Sequence, residues 1–422
     1  MKRIRTDELT EIIGPKAVIG LGNACGEPQT LINALIEGRD AIESVEIYGM
    51  IHFWTDQIRK KNLEEKFKLN LFMMDRYTVE GLKKGFSDYI PCRYSKIPEL
   101  FHKKRIRLDA ALISVSPPDS EGNCTYGVSS DYAKAMAENA KIVIAEINEQ
   151  MPRVHGDTVI HLEEIDYAIE TDRQLPQVHT LELTGRDRRI GEYVSQLVDD
   201  GATIQIGIGR LSEAALESMH DKKHLGVHSG LITDGIVDLM EKGVVDNSRK
   251  GLNKGKTVGT TMIGTDRLFR FIHENRAVES YPSDYTHNEV ILSKLNKLHA
   301  INSAIQVDLS GQINAETKGG IQISGVGGQT DFTCGAGLSR GGKSIIVISA
   351  TASGGKRSRI VPFLDQGSSV TSLRHDIDYV VSEYGIADLK GKSLGERAKA
   401  LINIAHPGFR EALESHVKTR YV

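Results

Sequence analysis

The chain has 422 residues, with 53 Lys+Arg against 56 Asp+Glu and a formal net charge of −3. This near-balance excludes a polybasic nucleic-acid binder, and 40% hydrophobic residues supply apolar surface for large cores, which excludes extended disorder. No apolar run reaches the roughly 18 residues of a membrane span, and Met1-Lys2-Arg3-Ile4-Arg5-Thr6-Asp7-Glu8 lacks the apolar stretch of a signal peptide.

Cys25, Cys92, Cys124 and Cys334 are far apart and form no CxxC pair, so a reduced, cytoplasmic protein is expected. The length predicts two or three domains. Glycine is abundant, at 41 residues, and clusters in short loops between apolar runs, where a backbone can approach another group closely.

In chain order, a polar helical segment over 7–13 leads into Gly14-Pro15-Lys16-Ala17-Val18-Ile19-Gly20-Leu21-Gly22, and a second helical segment follows over 28–36. The same sequence of events recurs. A helical pattern over 187–199 leads into Gly201-Ala202-Thr203-Ile204-Gln205-Ile206-Gly207-Ile208-Gly209, followed by another over 211–219. All three glycines of each block align without a gap. Ser44–Tyr48 matches His224–His228 in pattern, and Lys141–Ala145 matches Lys343–Val347. Short apolar runs bounded by glycine and alternating with helical periods read as buried parallel strands. The expected fold class is therefore α/β, with two similar, open, mostly parallel α/β domains and an active site in the cleft between them. Pro176 and the charged stretch Gly185-Arg186-Asp187-Arg188-Arg189 interrupt the apolar pattern, which sets the domains at 1–185 and 186–422.

Three loops carry candidate chemistry. Gly207-Ile208-Gly209-Arg210-Leu211 lies between a strand and a helix, with Ser212 the expected N-cap, where free N–H groups suit a phosphate or an oxyanion. Ser324-Gly325-Val326-Gly327-Gly328-Gln329-Thr330-Asp331-Phe332 opens a flat backbone surface ahead of an amide and a carboxylate. Ser353-Gly354-Gly355-Lys356-Arg357-Ser358-Arg359 sets three cations beside two glycines after a strand, a composition suited to phosphate. Gly337–Ser344 satisfies the spacing of a P-loop, but a strand follows where a helix must open, so nucleotide hydrolysis is not expected. His220 and His224 lie on an exposed turn with no second ligand pair, so no metal is expected. His228, His299, Phe53 and Trp54 read as core residues, and Met50, Ile51 and Phe53 fit core packing or a pocket equally well.

Taken together, these segments resemble the acetyl-CoA hydrolase/transferase family, especially its 4-hydroxybutyrate and butyryl CoA-transferases. The motifs run over nearly the whole chain: Glu27-Pro28, Val115-Ser116-Pro117-Pro118-Asp119 with Gly122, Gly207-Ile208-Gly209, Ile301-Asn302-Ser303, and Val307-Asp308-Leu309 with Gly311-Gln312. They continue through Ser324–Phe332, Ser358-Arg359-Ile360-Val361-Pro362, Glu383-Tyr384-Gly385 and Ile404-Ala405-His406-Pro407. The resemblance implies two similar α/β halves and a homo-oligomer. It also implies coenzyme A as substrate and product, with contacts from Gly207, Ile208, Gly209, Arg210, Leu211, Gly325, Gly327, Gly328, Ala352, Gly355 and Lys356. Its chemistry would move CoA from a small acyl-CoA to a carboxylate through a glutamyl-CoA intermediate.

At one position the chain departs from the family pattern. The family's nucleophilic glutamate lies in a His-Ser-Glu-Met-like segment followed by Asp-Gly. Here the segment is Val227-His228-Ser229-Gly230-Leu231-Ile232-Thr233-Asp234-Gly235, with Gly230 at the nucleophile position. Three readings stand. Another acid (Glu27, Glu46, Glu279 or Glu383) supports CoA transfer, or water fills the room and the protein hydrolyses acyl-CoA, or it binds acyl-CoA without turnover or needs a partner chain.

Overall fold

The glycine-flanked apolar runs are strands. In the computed structural model, which describes residues 1–420, the chain forms two units. The first contains Met1–His179, Ile232–Asp234 and Val258–Thr286; the second contains Thr180–Leu231, Gly235–Thr257 and the chain from His287 onward.

The sheet of the first unit has eight strands: β1 (Lys2–Arg3), β2 (Lys16–Leu21), β3 (Ser44–Gly49), β4 (Phe67–Leu71), β5 (Ser87–Tyr89), β6 (Ala110–Val115), β7 (Ile142–Asn148) and β8 (Tyr167–Thr171). They lie in the order β1-β8-β7-β6-β2-β3-β4-β5, and every pair is parallel. A parallel sheet covered on both faces needs apolar residues pointing both ways. β6 shows this directly: Ala110 and Leu112 enter one core, and Ala111, Ile113 and Val115 enter the other.

The sheet of the second unit contains β9 (Thr203–Ile206), β10 (Gly226–Val227), β11 (Leu298–Ser303), β12 (Lys343–Val347), β13 (Tyr379–Ser382) and β14 (Gly385–Asp388). Its order is β10-β9-β11-β12-β13-β14, parallel except for the final hairpin. The run β3-β2-β6-β7-β8 thus has the same order and direction as β10-β9-β11-β12-β13. The three segment matches read from the sequence fall on equivalent strands: β2 with β9, β3 with β10 and β7 with β12. Helix α1 (Gln29–Glu37) follows β2 as α3 (Arg210–Glu217) follows β9.

Two features differ from the sequence expectations. The charged stretch Gly185–Arg189 is the first turn of α2 (Gly185–Leu197) rather than a break. Thr184 caps it: its hydroxyl accepts from the Asp187 N–H at 3.3 Å, while the Asp187 carboxylate accepts from the Thr184 N–H at 2.9 Å. Against a boundary at 185/186, Val258–Thr286 also packs with the first unit. There the strand Val278–Ser280 pairs in parallel with His155–Gly156, and the Ser130 and Ser280 hydroxyls meet at 2.7 Å. Gly156 has φ +115°, and a side chain there would run into the Ser280 backbone.

His299 on β11 is a core residue, as expected, and is fully buried. Burial, then the Lys343 charge, push its pKa down to about 4 from 6.5, against the opposing pull of Asp199. Its folded-state pKa is therefore below its unfolded value. The stability that this neutral ring contributes is complete above pH 6.5 and is lost as pH falls toward 4. Up to about 3 kcal/mol is at stake. Urea unfolding at pH 7 and pH 4.5 should show a smaller acid loss for His299→Gln than for the parent; parallel losses would contradict this assignment.

Candidate active site

Two of the three sequence-marked loops, Gly207–Leu211 and Ser353–Arg359, follow strands β9 and β12 at the carboxyl edge of the second unit's sheet, where open α/β sheets hold ligands. Strand β9 ends at Ile206, and Gly207-Ile208-Gly209 turns the chain into α3. Gly209 is the N-cap, with φ +112°, a conformation suited to glycine; its carbonyl accepts from the Ser212 and Glu213 N–H groups at 3.1 Å each. Ser212, the expected cap, lies inside the first turn and is buried. Behind this loop the Gln205 and Asn302 side-chain amides pair reciprocally at 3.1 and 2.9 Å, tying the ends of β9 and β11 together.

Beside it lies a cavity of about 690 Å³ lined by residues of the second unit alone. Arg186 and Arg189 reach it from α2, Arg210 from the start of α3, and Arg359 from the end of the cation loop. Arg210 is held by the buried Asp187 carboxylate at 3.0 Å. Arg186, Arg189 and Arg359 make no side-chain hydrogen bond or ion pair with the described residues. Burial first, and the neighbouring Arg186 charge second, hold the Arg359 guanidinium below its ordinary pKa, with Glu383 opposing. Crowded cations without protein partners create a potential that an anion relieves.

Of the coenzyme A contacts that the resemblance implied, Arg210, Ala352 and Gly355 line this cavity. Gly207, Ile208, Gly209, Leu211 and Lys356 are their chain neighbours and do not line it; Lys356 is exposed. Thr351–Ala352 and Arg357–Ser358 pair antiparallel, and Ser353, Gly354 and Gly355 take positive φ to turn between them. Sequence reasoning assigned no site role to Arg186 and Arg189, and it marked Arg359 as one of the three cations of the Ser353–Arg359 loop suited to phosphate.

The Gly325–Gly328 turn lies at a second place, next to Gly230. Gly327 has φ +51°, and Gly328 is the N-cap of α4 (Gln329–Leu338). Ser229 fixes the other side: its hydroxyl donates to the Ile206 carbonyl at 3.2 Å and accepts from the Leu231 N–H at 3.3 Å. Between these segments sits His287, 1% exposed, its ring against Phe332 at a centroid distance of 4.7 Å. A Cβ placed on Gly230 would lie 2.7 Å from His287 Nε2 and 3.6 Å from the Phe332 ring, and one on Gly328 would approach Nε2 more closely still. Lys250 braces the floor of this region. It is fully buried, with its ammonium donating to the Val227 carbonyl at 2.8 Å and the Lys256 carbonyl at 2.7 Å.

The four acids named in the sequence as alternatives to a carboxylate at position 230 lie in different places. In the first unit, Glu27 is fully buried, accepting from the Gln29 amide at 2.8 Å and the Phe53 N–H at 3.1 Å, with His52 Nδ1 3.5 Å away. Glu46 lies on β3 beside Lys68 and Asn70, and Glu279 accepts from the Tyr281 hydroxyl at 3.0 Å. In the second unit, Glu383 lines the arginine cavity and accepts from the Ala350 N–H at 2.8 Å.

The family descriptions that match are the acetyl-CoA hydrolase/transferase N-terminal domain, over residues 1–178, and the corresponding C-terminal domain, over residues 264–417. The chain is 44% identical over 420 residues to the 4-hydroxybutyrate coenzyme A transferase of Clostridium kluyveri, covering 100% of this chain and 98% of the relative. It is 35% identical to the butyryl-CoA:acetate CoA-transferase of Anaerostipes caccae, covering 98% and 95%. Among solved structures it is similar to RipA from Yersinia pestis (TM-score 0.94, 32% identity, 100% and 98% coverage). It is also similar to the 4-hydroxybutyrate CoA-transferase of Porphyromonas gingivalis (TM-score 0.86, 33% identity, 99% and 98% coverage).

Proposed function

The chain belongs to the acetyl-CoA hydrolase/transferase family, and we propose that it moves coenzyme A from a small acyl-CoA to a carboxylate acceptor. The observation that carries the coenzyme A site is the cavity where Arg186, Arg189 and Arg359 make no side-chain hydrogen bond or ion pair with the described residues. Coenzyme A bears a pyrophosphate and a further phosphate, and guanidinium groups bind phosphate oxygens bidentately. In this reading the phosphates meet Arg186, Arg189 and Arg359, with the Ala352–Lys356 turn and the Gly207–Leu211 loop alongside. The Gly325–Gly328 turn, beside Gly230, faces the acyl end.

The protein acts as a cytoplasmic homo-oligomer in this proposal. No helix among the described residues is long and apolar enough to cross a membrane.

A matrix of acyl-CoA donors against carboxylate acceptors, with product identification, tests the activity. A new acyl-CoA should form only when a carboxylate is added, with little free thiol. Thiol released at the same rate without acceptor would make the protein a hydrolase, and no turnover with any pair would make it a binding protein.

A further inference from the structure

Arg186, Arg189, Arg210 and Arg359 line one cavity, and Arg210 differs from the others in being tethered. It stands at the start of α3, with its Nε 3.0 Å from Asp187 Oδ2 on the first turn of α2. The same oxygen accepts from the Thr184 N–H at 2.9 Å and from the Thr184 hydroxyl, so the cap of α2 fixes the carboxylate. Asp187 is fully buried, and its Oδ1 meets no hydrogen-bond partner among the described residues. Burying a carboxylate is costly unless a cation faces it, and Arg210 is that cation. The two helices are also in backbone contact, since a Cβ on Gly191 of α2 would run into the Ala214 carbonyl of α3. The anchor beneath Arg210 is therefore rigid, while the Arg210 side chain itself is 36% exposed and borders the cavity.

Resting on the coenzyme A reading above, we propose that Asp187 is a positioning residue. It holds the Nε edge of Arg210, so that the terminal guanidinium nitrogens face the cavity and donate to a phosphate oxygen of coenzyme A. A guanidinium has donors on more than one edge, and the described residues give Arg210 no side-chain partner besides Asp187. A long side chain that must be ordered when its ligand arrives costs roughly 2- to 10-fold in affinity. Asp187 removes that cost by ordering Arg210 beforehand. Its negative charge works the other way, because it lowers the positive potential over the cavity. Salt separates the two effects. At about 1 M the Debye length is about 3 Å, so the charge is screened while the ordering remains.

The test is calorimetric titration of the full-length protein with coenzyme A, at low salt and at about 1 M. Asp187→Asn keeps an acceptor for Thr184 and should weaken binding roughly 2- to 10-fold at high salt. Arg210→Gln should weaken it roughly 10- to 100-fold, and adding Asp187→Asn to that variant should cause no further loss at high salt. Equal or tighter binding by Asp187→Asn at high salt would overturn the proposal. An equal loss with and without Arg210 would also overturn it, because Asp187 would then act through the fold alone. If a single variant fails to fold, the double variant, which leaves no charge unpaired, still decides. It should bind roughly 10- to 100-fold more weakly than the parent, and parental affinity would overturn the role of Arg210. Failure of the coenzyme A site is a separate result: the parent itself would bind no coenzyme A at either salt, and the assignment of Arg210 would fall with it.

Discussion

Replacing Gly230 by glutamate is expected to destabilise the protein. The new Cβ would lie 2.7 Å from His287 Nε2 and 3.1 Å from its Cε1, closer than folded structures allow. The imidazole cannot simply swing aside, because Gly328 and the Phe332 ring hold its other faces. Overpacking of this kind costs about 1–3 kcal/mol, which corresponds to a loss of roughly 2–10 °C in Tm for units of this size. Gly230→Glu combined with His287→Ala should recover much of the loss, since removing the ring makes room, and the pair should be strongly non-additive. Thermal unfolding of the four proteins in this cycle measures the coupling. Additive changes, or a Gly230→Glu protein as stable as the parent, would show that the two residues do not compete for the same space. The hydrolase reading of the sequence placed water in the room at Gly230; in the structure the His287 ring stands there.

The second large effect concerns the arginine cavity. Removal of the Arg359 guanidinium should weaken coenzyme A binding about 10- to 100-fold, the span expected for one charged hydrogen-bonding group on a phosphate. Arg359→Lys should recover only part, because an ammonium lacks the planar fork. Lys356→Ala, on an exposed side chain outside the cavity lining, should have a much smaller effect. Calorimetric titration with coenzyme A, repeated at rising salt, measures both the affinities and their ionic component. Equal affinity in Arg359→Ala and the parent would move the phosphates elsewhere. Gly327→Val is a poorer probe of the same ligand, since φ +51° at that residue strains any branched side chain whether or not coenzyme A approaches.

How much of this was legible in the sequence follows from the range of each interaction. The duplication was legible because it repeats local features: Gly20 and Gly207 stand at equivalent points of strands that open at Lys16 and Thr203, and the flanking helices recur. The candidate loops were legible because strand-to-helix turns carry glycine for local conformational reasons, as Gly209 at φ +112° illustrates. The arginine cavity was not. Arg186 and Arg189 stand at the start of a helix whose charge looked like a domain break, and only the parallel order of β9, β11, β12 and β13 brings them to Arg359. His287 had even less to mark it, lying in Tyr285-Thr286-His287-Asn288 with no motif around it. The usable signal was indirect: Gly230 and Gly328 are two glycines at which a side chain would meet the same ring. The return of Val258–Thr286 to the first unit was likewise out of reach, because a three-residue strand such as Val278–Ser280 gains its partner only in the folded chain.

A single-turnover reaction with an oxygen-18-labelled acceptor carboxylate, protein in excess over acyl-CoA, tests most closely whether coenzyme A transfer uses a carboxylate of the protein. Without such a carboxylate the acceptor must attack the acyl-CoA itself, and the bridging oxygen of the resulting anhydride comes from the acceptor and departs with the donor. The carboxylate released in the first turnover should therefore carry oxygen-18. If an acid of the protein were the nucleophile instead, the first carboxylate released would take its oxygen from that side chain and emerge unlabelled, which would contradict transfer without a protein carboxylate.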